Sequence, residues 1–199
     1  MAKKIKFIIF DLGGVVVHGG YLDFLRDYCA PCLTRAGHKK ILDLEREVNL
    51  GLITEGEFYR EIGKIFGVHL KPKQMHEIIV RGMKRDSALL KFIRHLRRPK
   101  VAMFSNSIGH MATEVLRRRR IPARKLFKKV FVSTNMHMIK PDAVAYRFVL
   151  RKLHAKPRET LLVDDRRENV SGARKIGMEG IIYRNSRQFL RELKKYELA

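Results

Sequence analysis

Five short apolar runs recur along the chain, and each follows a basic or turn-forming segment. They are KIKFIIFD (4–11), KVAMFSN (100–106), KKVFVST (128–134), ETLLVDD (159–165) and EGIIYR (179–184). The apolar positions in each run are continuous rather than alternating, which is typical of strands buried on both faces of a parallel sheet. Helical periodicity separates the last four runs, and a final helix is predicted over 186–198. Strand alternating with helix predicts an α/β fold with an open parallel sheet.

The pattern changes between residues 19 and 97, where five helical periodicities follow one another and we predict no strand. Thr54 and Glu57 match a capping box, in which each side chain binds the other residue's backbone amide at a helix start. An all-helical segment inserted after the first strand forms a cap over the carboxyl ends of the strands, where open sheets bind ligands. We therefore predict a discontinuous core domain, residues 1–18 and 98–199, and a helical cap domain, residues 19–97.

Polar and charged side chains stand where the predicted strands end. The positions are Asp11, Ser105, Asn106, Lys140, Asp164 and Asp165. Placing a carboxylate such as Asp11 beside the apolar core costs folding free energy unless a partner compensates its charge. Because parallel strands place their carboxyl ends at one edge of the sheet, we expect these side chains to share one crevice. Each residue alone has an ordinary explanation, such as a turn or a helix cap, but their occurrence at successive strand ends predicts a functional site.

Four segments at these strand ends carry a resemblance to a known family. They are FDLGGV (10–15), FSNS (104–107), IKPDAVAY (139–146) and VDDRRENVSGA (163–173). With them, the chain resembles the haloacid dehalogenase-like hydrolase superfamily, in the branch whose helical cap follows the first strand. The resemblance covers essentially the whole chain and implies a Rossmann-like core.

The resemblance implies a catalytic role for three of these residues. Asp11 is expected to be the nucleophile that forms an aspartyl-phosphate, and Ser105 and Lys140 are expected to bind the transferring phosphoryl group. Physical chemistry agrees, because phosphoryl transfer requires neutralised charge on the phosphoryl oxygens and a nucleophile fixed in line. We also expect Lys140 to keep Asp11 ionised, since a nearby positive charge lowers the pKa of a carboxyl group.

The resemblance also implies a magnesium site. The expected ligands of Mg²⁺ are Asp11, the backbone carbonyl of Gly13 and Asp165, with Asp164 as a nearby or outer-shell ligand. Asn169, four residues after Asp165, is expected to steady the acidic loop. Hard oxygen ligands of this kind are the ones that Mg²⁺ prefers.

Neighbouring residues are expected to contact the substrate, namely Gly13, Gly14 and Asn106, and His18 at the cap hinge. The family pattern is broken at Gly13, where phosphatases of the superfamily usually carry a second Asp that protonates the leaving alcohol and then activates water. Members opening FDLGGV or FDLGNV form a recognised branch, and some resemble sugar-phosphate phosphatases. His18, seven residues after Asp11, is a candidate substitute acid and base, with a hinge or surface histidine as the alternative.

The charge of the chain is unusual. Lys and Arg number 43 against 20 Asp and Glu, which leaves a net charge of +23. Such a surface attracts polyanions and steers phosphorylated molecules toward a cleft. The densest basic run, RRRRIPARKLFKK (117–129), is interpreted as a solvated helix end whose cations suit the negative end of the helix dipole. The alternative is a nucleic-acid-binding or anionic-surface-binding patch, although no recognition motif accompanies the run.

Two cysteines form the motif CAPC, with Cys29 and Cys32 at its ends. The motif falls at the end of a predicted helix rather than after a strand, and no second metal-binding pair follows it. Structural thiols are therefore the favoured interpretation, with a redox switch or a metal site as alternatives.

No apolar stretch approaches the about 18 residues that a membrane span requires. The opening apolar run ends at Asp11 and lacks the length and cleavage site of a signal peptide, so we predict a cytoplasmic protein without membrane contact.

The sequence predicts a metal-dependent phosphatase that acts on a small phosphorylated metabolite, such as a sugar phosphate. One alternative is a catalytically weak family member that binds nucleic acid or a protein partner through its basic surface. The other is a 2-haloacid dehalogenase, but such enzymes typically carry Tyr at the position of Gly13 and need no Mg²⁺. The intact pair of Asp164 and Asp165 favours the phosphatase. The sequence defines neither the substrate nor the oligomeric state.

Overall fold

The computed structural model describes residues 4–28 and 35–196, so Cys29 and Cys32 and their predicted roles lie outside the described residues. In the described part the strands are β1 (Phe7–Phe10), β2 (Val17–His18), β3 (Lys84–Arg85), β4 (Lys100–Ser105), β5 (Val130–Val132), β6 (Thr160–Asp164) and β7 (Glu179–Ile182). Five of them form one parallel sheet in the order β5-β4-β1-β6-β7. The predicted α/β fold with an open parallel sheet is confirmed.

Helices cover both faces of this sheet. The α-helices of the described ranges, of which only some lie on the sheet, are α1 (Tyr21–Tyr28), α2 (Arg35–Leu50), α3 (Glu55–Phe66), α4 (Pro72–Gly82), α5 (Ser87–His95), α6 (Met111–Arg118), α7 (Ala123–Leu126), α8 (Ser133–Met136), α9 (Ala143–Leu153), α10 (Arg167–Lys175) and α11 (Ser186–Leu193). Ile9 packs in an apolar cluster with Tyr146 of α9, whereas Ile8 belongs to a second cluster with Val115 of α6 and Phe189 of α11. Of the helices in the described ranges, none combines the length and hydropathy needed to cross a membrane.

The register of the central strands brings two carboxylates to the same edge. Phe10, the last residue of β1, pairs with Val163 of β6, and the next amide, that of Asp11, donates to the Val163 carbonyl at 2.9 Å. Asp11 and Asp164 therefore follow paired positions at the carboxyl edge of the sheet. The strands are buried on both faces, as their continuous apolar sequences predict.

Helices α1–α4 pack on one another, and we refer to them as the cap helices. The predicted capping box at the start of α3 is confirmed. Thr54 Oγ1 accepts from the Glu57 amide at 3.2 Å, and Glu57 Oε2 accepts from the Thr54 amide at 2.7 Å. Phe58 and Ile62, one turn apart on α3, are fully buried and fill the interior of this helical unit.

The expectation that the segment 19–97 contains no strand is wrong, because the short strand β3 lies within it. Its residues Lys84 and Arg85 pair antiparallel with His18 and Val17. Lys84 and Arg85 have no local sequence pattern that indicates a strand. They are extended because they pair with a segment that is distant in sequence. The predicted domain boundaries stay a prediction, and the Phe92 ring of α5, 5.6 Å from the Phe189 ring of α11, favours a cap that ends before α5.

Part of the basic run 117–129 joins the core to the cap helices. Arg118, at the end of α6, donates through both terminal nitrogens to the Glu77 carboxylate of α4, at 2.8 Å each. The guanidinium of Arg119 donates to the Arg81 carbonyl at 2.9 Å. The interpretation as a solvated helix end is therefore incomplete for these two residues. Glu77 compensates the charge of the exposed Arg118, and backbone carbonyls of α4 accept from the half-buried Arg119, whereas Arg117 and Arg120 are exposed.

His76 of α4 makes a second contact between the cap helices and α6. Its Nε2 lies 2.8 Å from a Glu114 oxygen, and its Nδ1 contacts the Glu55 carboxylate. Burial alone lowers the pKa of His76, but hydrogen bonds and charge interactions with Glu55 and Glu114 outweigh it and raise the pKa above its usual value. The protonated imidazole therefore stabilises the folded chain at this contact.

Replacing His76 by Gln should make this stabilisation measurable as a function of pH. Because the folded-state pKa is raised, the contribution is fully present below the ordinary histidine pKa of about 6.5 and is lost as the pH rises through the folded-state value. We expect the difference in unfolding free energy between wild type and His76→Gln to shrink from pH 5.5 to pH 8.5. Urea unfolding at several pH values measures it, and a difference that is independent of pH would contradict the assignment.

Candidate active site

Asp11 lies directly after β1 and is almost completely buried. Its Oδ1 accepts from the Leu12 amide at 2.6 Å and lies 3.0 Å from Lys140 Nζ. Its Oδ2 makes no hydrogen bond in the described part of the chain. One oxygen of the carboxylate is therefore fixed by the protein, and the other is free for a ligand.

Lys140, in the loop between α8 and α9, has a completely buried side chain. Its Nζ donates to Asp164 Oδ2 at 2.6 Å and lies 3.0 Å from Asp11 Oδ1, so the ammonium bridges two carboxylates. Asn106 fixes the backbone of this residue, since its Oδ1 accepts from the Lys140 amide at 3.0 Å and its Nδ2 donates to the Lys140 carbonyl at 2.9 Å. The geometry thus gives Asn106 a positioning contact, and its predicted contact with substrate stays a prediction.

Asp164 and Asp165 are adjacent in sequence but have different surroundings. Asp164 is fully buried, and its Oδ1 accepts from the Arg166 amide at 3.0 Å and from Asn169 Nδ2 at 2.9 Å. With Lys140 on Oδ2, both oxygens of Asp164 are engaged. Asp165 is half-buried and makes no hydrogen bond or ion pair with another residue in the described ranges. Its carboxylate is therefore the one available to an added ligand.

The two glycines that follow Asp11 in sequence, Gly13 and Gly14, differ in whether their surroundings leave room for a side chain. Gly14 has a φ of +70°, and a Cβ built there would lie 2.2 Å from Asp165 Oδ2, so any side chain at this position would displace that carboxylate. Gly13 lies outside the left-handed region, and a Cβ there would meet no atom within 4 Å. Gly14 is thus required by the backbone, whereas Gly13 leaves open space. Their predicted contacts with substrate stay predictions.

The site is suited to a divalent cation. One oxygen from each of Asp11, Asp164 and Asp165 lies within 4.8 Å of the others. Three carboxylates against the single ammonium of Lys140 leave a net charge of −2 when all are ionised, which a divalent cation would neutralise. Carboxylate oxygens are the ligands that hard cations prefer, and the unengaged oxygens of Asp11 and Asp165 supply them.

Burial changes the titration of these groups. It raises the pKa of Asp11 to about 7, and the charges of Asp164 and Asp165 act in the same direction, while Lys140 lowers it. Lys140 lowers the pKa of Asp11 as expected, but desolvation and the two neighbouring carboxylates outweigh this effect, so the expectation that Lys140 keeps Asp11 ionised is not met by the protein groups themselves. Burial would lower the pKa of Lys140, but the two carboxylates that it bridges raise it above the usual value.

The loop after β4 carries further buried hydroxyls. Ser105 is buried at the end of the strand, and its Oγ lies 3.3 Å from the Asn106 carbonyl. Ser107 accepts from the Ala112 amide at 3.1 Å, and its own amide donates to Ser133 Oγ at 3.1 Å. The sequence prediction did not include Ser107 and Ser133 as supports of this loop. Ser107 lies within the FSNS segment, but Ser133 has no local signal.

His18 belongs to a different set of contacts. Its Nε2 lies 3.2 Å from Asp86 Oδ2, and its ring stacks on Tyr183 with centroids 6.0 Å apart. Asp86 also accepts from the Tyr183 hydroxyl at 2.7 Å and from Ser186 Oγ at 2.9 Å. None of these described contacts involves Asp11, so the predicted roles of His18 in substrate binding and proton transfer stay predictions.

Helix α2 of the cap lies over the loops at the carboxyl edge of the sheet. Arg46 donates to Asp142 at 3.0 Å, and Leu50 accepts through its carbonyl from His137 at 2.9 Å. Glu45 lies 3.9 Å from the guanidinium of Arg166, the residue that follows the acidic pair. The crevice is therefore covered from the side of the cap.

An open parallel sheet with a lysine-bridged acidic site under a helical cover places this chain among Rossmann-like α/β proteins that carry a helical cap. The family model for haloacid dehalogenase-like hydrolases matches residues 5–177, and the chain belongs to this family.

Individual relatives are similar over most of the chain. A D-ribitol-5-phosphate phosphatase from Bacteroides thetaiotaomicron is 24% identical over 95% of this chain and 97% of its own length. A drimenol cyclase from Aspergillus calidoustus is 26% identical over 95% of this chain, which spans only 36% of the cyclase. Among solved structures, a family enzyme from Bacteroides thetaiotaomicron in complex with magnesium and inorganic phosphate superimposes with a TM-score of 0.72, at 22% identity over 92% of this chain and 96% of that one.

The different surroundings of the acidic pair predict opposite consequences for two amide variants. Asp165→Asn should abolish detectable Mg²⁺ binding but leave unfolding free energy nearly unchanged, since Asp165 has no partner to lose. Asp164→Asn should weaken Mg²⁺ binding by about 10-fold to 100-fold, as expected for a supporting residue. It should also lower the unfolding free energy by about 3 kcal/mol, because Lys140 loses a buried partner.

Calorimetric titration with Mg²⁺ and urea unfolding of both variants measure the two effects. Equal losses of metal affinity and of stability in the two variants would contradict the assignment of Asp165 as ligand and Asp164 as support.

Proposed function

We propose that the protein is a metal-dependent phosphatase that removes phosphate from a small phosphorylated metabolite through an aspartyl-phosphate on Asp11. The observation that carries the proposal is the buried bridge of Lys140 between Asp11 and Asp164, with the unengaged carboxylate of Asp165 beside it. The similarity to a sugar-alcohol phosphate phosphatase over nearly the full length of both chains supports the same chemistry.

In the proposed mechanism, Asp11 attacks the phosphorus atom of the bound ester. The bond between phosphorus and the ester oxygen breaks, an Asp11–phosphorus bond forms, and the alkoxide leaves and takes up a proton. Water then cleaves the aspartyl-phosphate, which restores Asp11 and releases inorganic phosphate. Lys140 keeps the nucleophile in place, and with Ser105 it provides hydrogen-bond donors for the phosphoryl oxygens.

Mg²⁺, held by Asp11, Asp165 and the carbonyl of Gly13, would supply the remaining positive charge that phosphoryl transfer requires. Two structures of one similar protein, both solved with magnesium, support this choice of cation. The carboxylate of Asp165, which has no ion pair in the described part of the chain, also argues against the dehalogenase alternative, because an enzyme of that kind needs no metal ligand at this position.

A small substrate is favoured by the cover over the crevice. Helix α2 of the cap contacts the core loops through Arg46, Glu45 and the Leu50 carbonyl. A phosphate ester must therefore fit between the cap and the carboxyl edge of the sheet, which favours a metabolite over a phosphorylated protein.

The direct test is a screen over phosphorylated metabolites with and without Mg²⁺, using wild type and Asp11→Asn. An amide is a poor nucleophile and a weaker metal ligand, so Asp11→Asn should reduce turnover to background. Asp43→Asn, at an exposed position on α2, is the matched control and should retain wild-type activity. Substantial turnover by Asp11→Asn, or turnover that is unaffected by removal of Mg²⁺, would contradict the proposal.

Because Gly13 carries no acid, the rate of hydrolysis should depend unusually strongly on the leaving group. With no acid at this position, wild type should hydrolyse nitrophenyl phosphate much faster than an alkyl phosphate, because a nitrophenolate leaves without protonation. The open space at Gly13 admits Asp, and general acid catalysis is worth about 10²–10⁴ in rate. We expect Gly13→Asp to raise kcat for alkyl phosphates by about 10²-fold and to change nitrophenyl phosphate turnover little.

Gly13→Asn is the matched control, since it fills the same space without a transferable proton, and it should not accelerate either substrate. If a well-folded Gly13→Asp accelerates neither ester while His18→Ala selectively slows alkyl esters, His18 is the proton donor instead.

A further inference from the structure

A groove at the end of the sheet opposite Asp11 is lined by positively charged side chains. Five basic side chains line it: Arg94, Arg97, Lys100, Lys125 and Lys128. Its volume is about 490 Å³, and its lining contains no acidic residue. The lining also includes apolar residues, among them the buried Ile93 and Val101. We refer to this surface as the basic groove.

The basic groove is separate from the crevice around Asp11. Lys100 is the first residue of β4, and its amide donates to the Lys6 carbonyl at 3.0 Å, just before β1. Ser105 is the last residue of the same strand, about 17 Å away at the usual rise of an extended chain. The groove therefore lies at the amino ends of the strands, whereas the acidic site lies at their carboxyl ends.

The five cations have no compensating charge within the described part of the protein. Every ion pair found there involves other basic residues, such as Arg118 with Glu77. Lys100 and Lys128 each lie 5.9 Å from the centroid of the buried Phe7 ring, a contact that leaves the charge unneutralised. Arg94 is in the last turn of α5, where the helix dipole favours a cation. The other four cations have no acidic partner within residues 4–28 and 35–196, so their charge is available to an added anion.

We propose that the basic groove binds a small soluble organic molecule that carries several clustered phosphates, of the nucleoside triphosphate type. The four uncompensated cations, with Arg94 beside them, complement the negative charge of a triphosphate, and Lys and Arg side chains donate strong charge-assisted hydrogen bonds to phosphate oxygens. The apolar residues of the lining, such as Leu96 and Leu126, suit the ring system of such a molecule. The groove volume lies within the range of small-molecule sites.

The shape of the groove argues against larger polyanions. Single-stranded nucleic acid binds through exposed aromatic side chains on which its bases stack, and the lining contains none. Sequence-specific binding of a DNA duplex requires a protruding helix or strand pair that enters the major groove of the DNA. The basic groove is concave and offers no such element. A lipid bilayer presents a flat surface and reaches the rim of a concave site rather than its floor.

The experiment is isothermal titration calorimetry of the full chain with ATP and with inorganic tripolyphosphate, in EDTA so that the acidic site holds no metal. The test variant is Lys100→Gln combined with Lys125→Gln, both at exposed positions that tolerate a neutral side chain. The charge-matched control is Arg187→Gln combined with Arg191→Gln on the exposed side of α11. We expect one site per chain, an affinity at least tenfold weaker in the test variant, and no change in the control.

Three outcomes would overturn the proposal. The first is an absence of saturable binding of ATP or tripolyphosphate, and the second is an equal loss of affinity in the test and control variants. The third is groove-dependent binding of a 20-nucleotide RNA, or of vesicles containing a phosphoinositide, that ATP does not displace. Loss of phosphatase activity plays no part in this test, so its failure is distinguishable from failure of the proposed function.

Discussion

The buried ammonium of Lys140 is the interaction on which the site depends. A charge that is removed from water must be compensated nearby, and Lys140 meets this requirement only between Asp11 and Asp164. The three residues come from the end of β1, the end of β6 and the loop before α9, so the charge network fixes three separate parts of the chain relative to one another. Asn106 adds the end of β4 to this set by holding both backbone groups of Lys140.

The same network explains why the site keeps carboxylate oxygens that can bind an added cation. Asp164 uses both of its oxygens within the protein, but Asp11 keeps one oxygen free and Asp165 keeps its whole carboxylate. Gly14 permits this arrangement, because its left-handed backbone passes so close to Asp165 that a side chain would displace the carboxylate. The folded chain thus carries an excess of negative charge toward the covered crevice, while its exterior is strongly positive.

The sheet and most of the site could be predicted because their signals are local. Continuous apolar runs identified the strands, and the polar residues that end them mark the carboxyl edge where Asp11, Lys140 and Asp164 meet. The strand Lys84–Arg85, the contacts of Arg118 and Arg119 with α4, and the Asp86 contact of His18 could not be predicted in this way. Each of these depends on a partner far away in sequence, and the residue types involved are compatible with ordinary solvent exposure.

The proposed mechanism requires Asp11 to take the phosphoryl group from the substrate. Acid quenching during turnover of nitrophenyl phosphate with Mg²⁺, followed by borohydride reduction, converts an aspartyl-phosphate into homoserine at the modified position. Peptide mass spectrometry should find homoserine at residue 11, and none when substrate is omitted. Steady turnover without homoserine at residue 11, or with the modification at another carboxylate such as Asp165, would contradict the account.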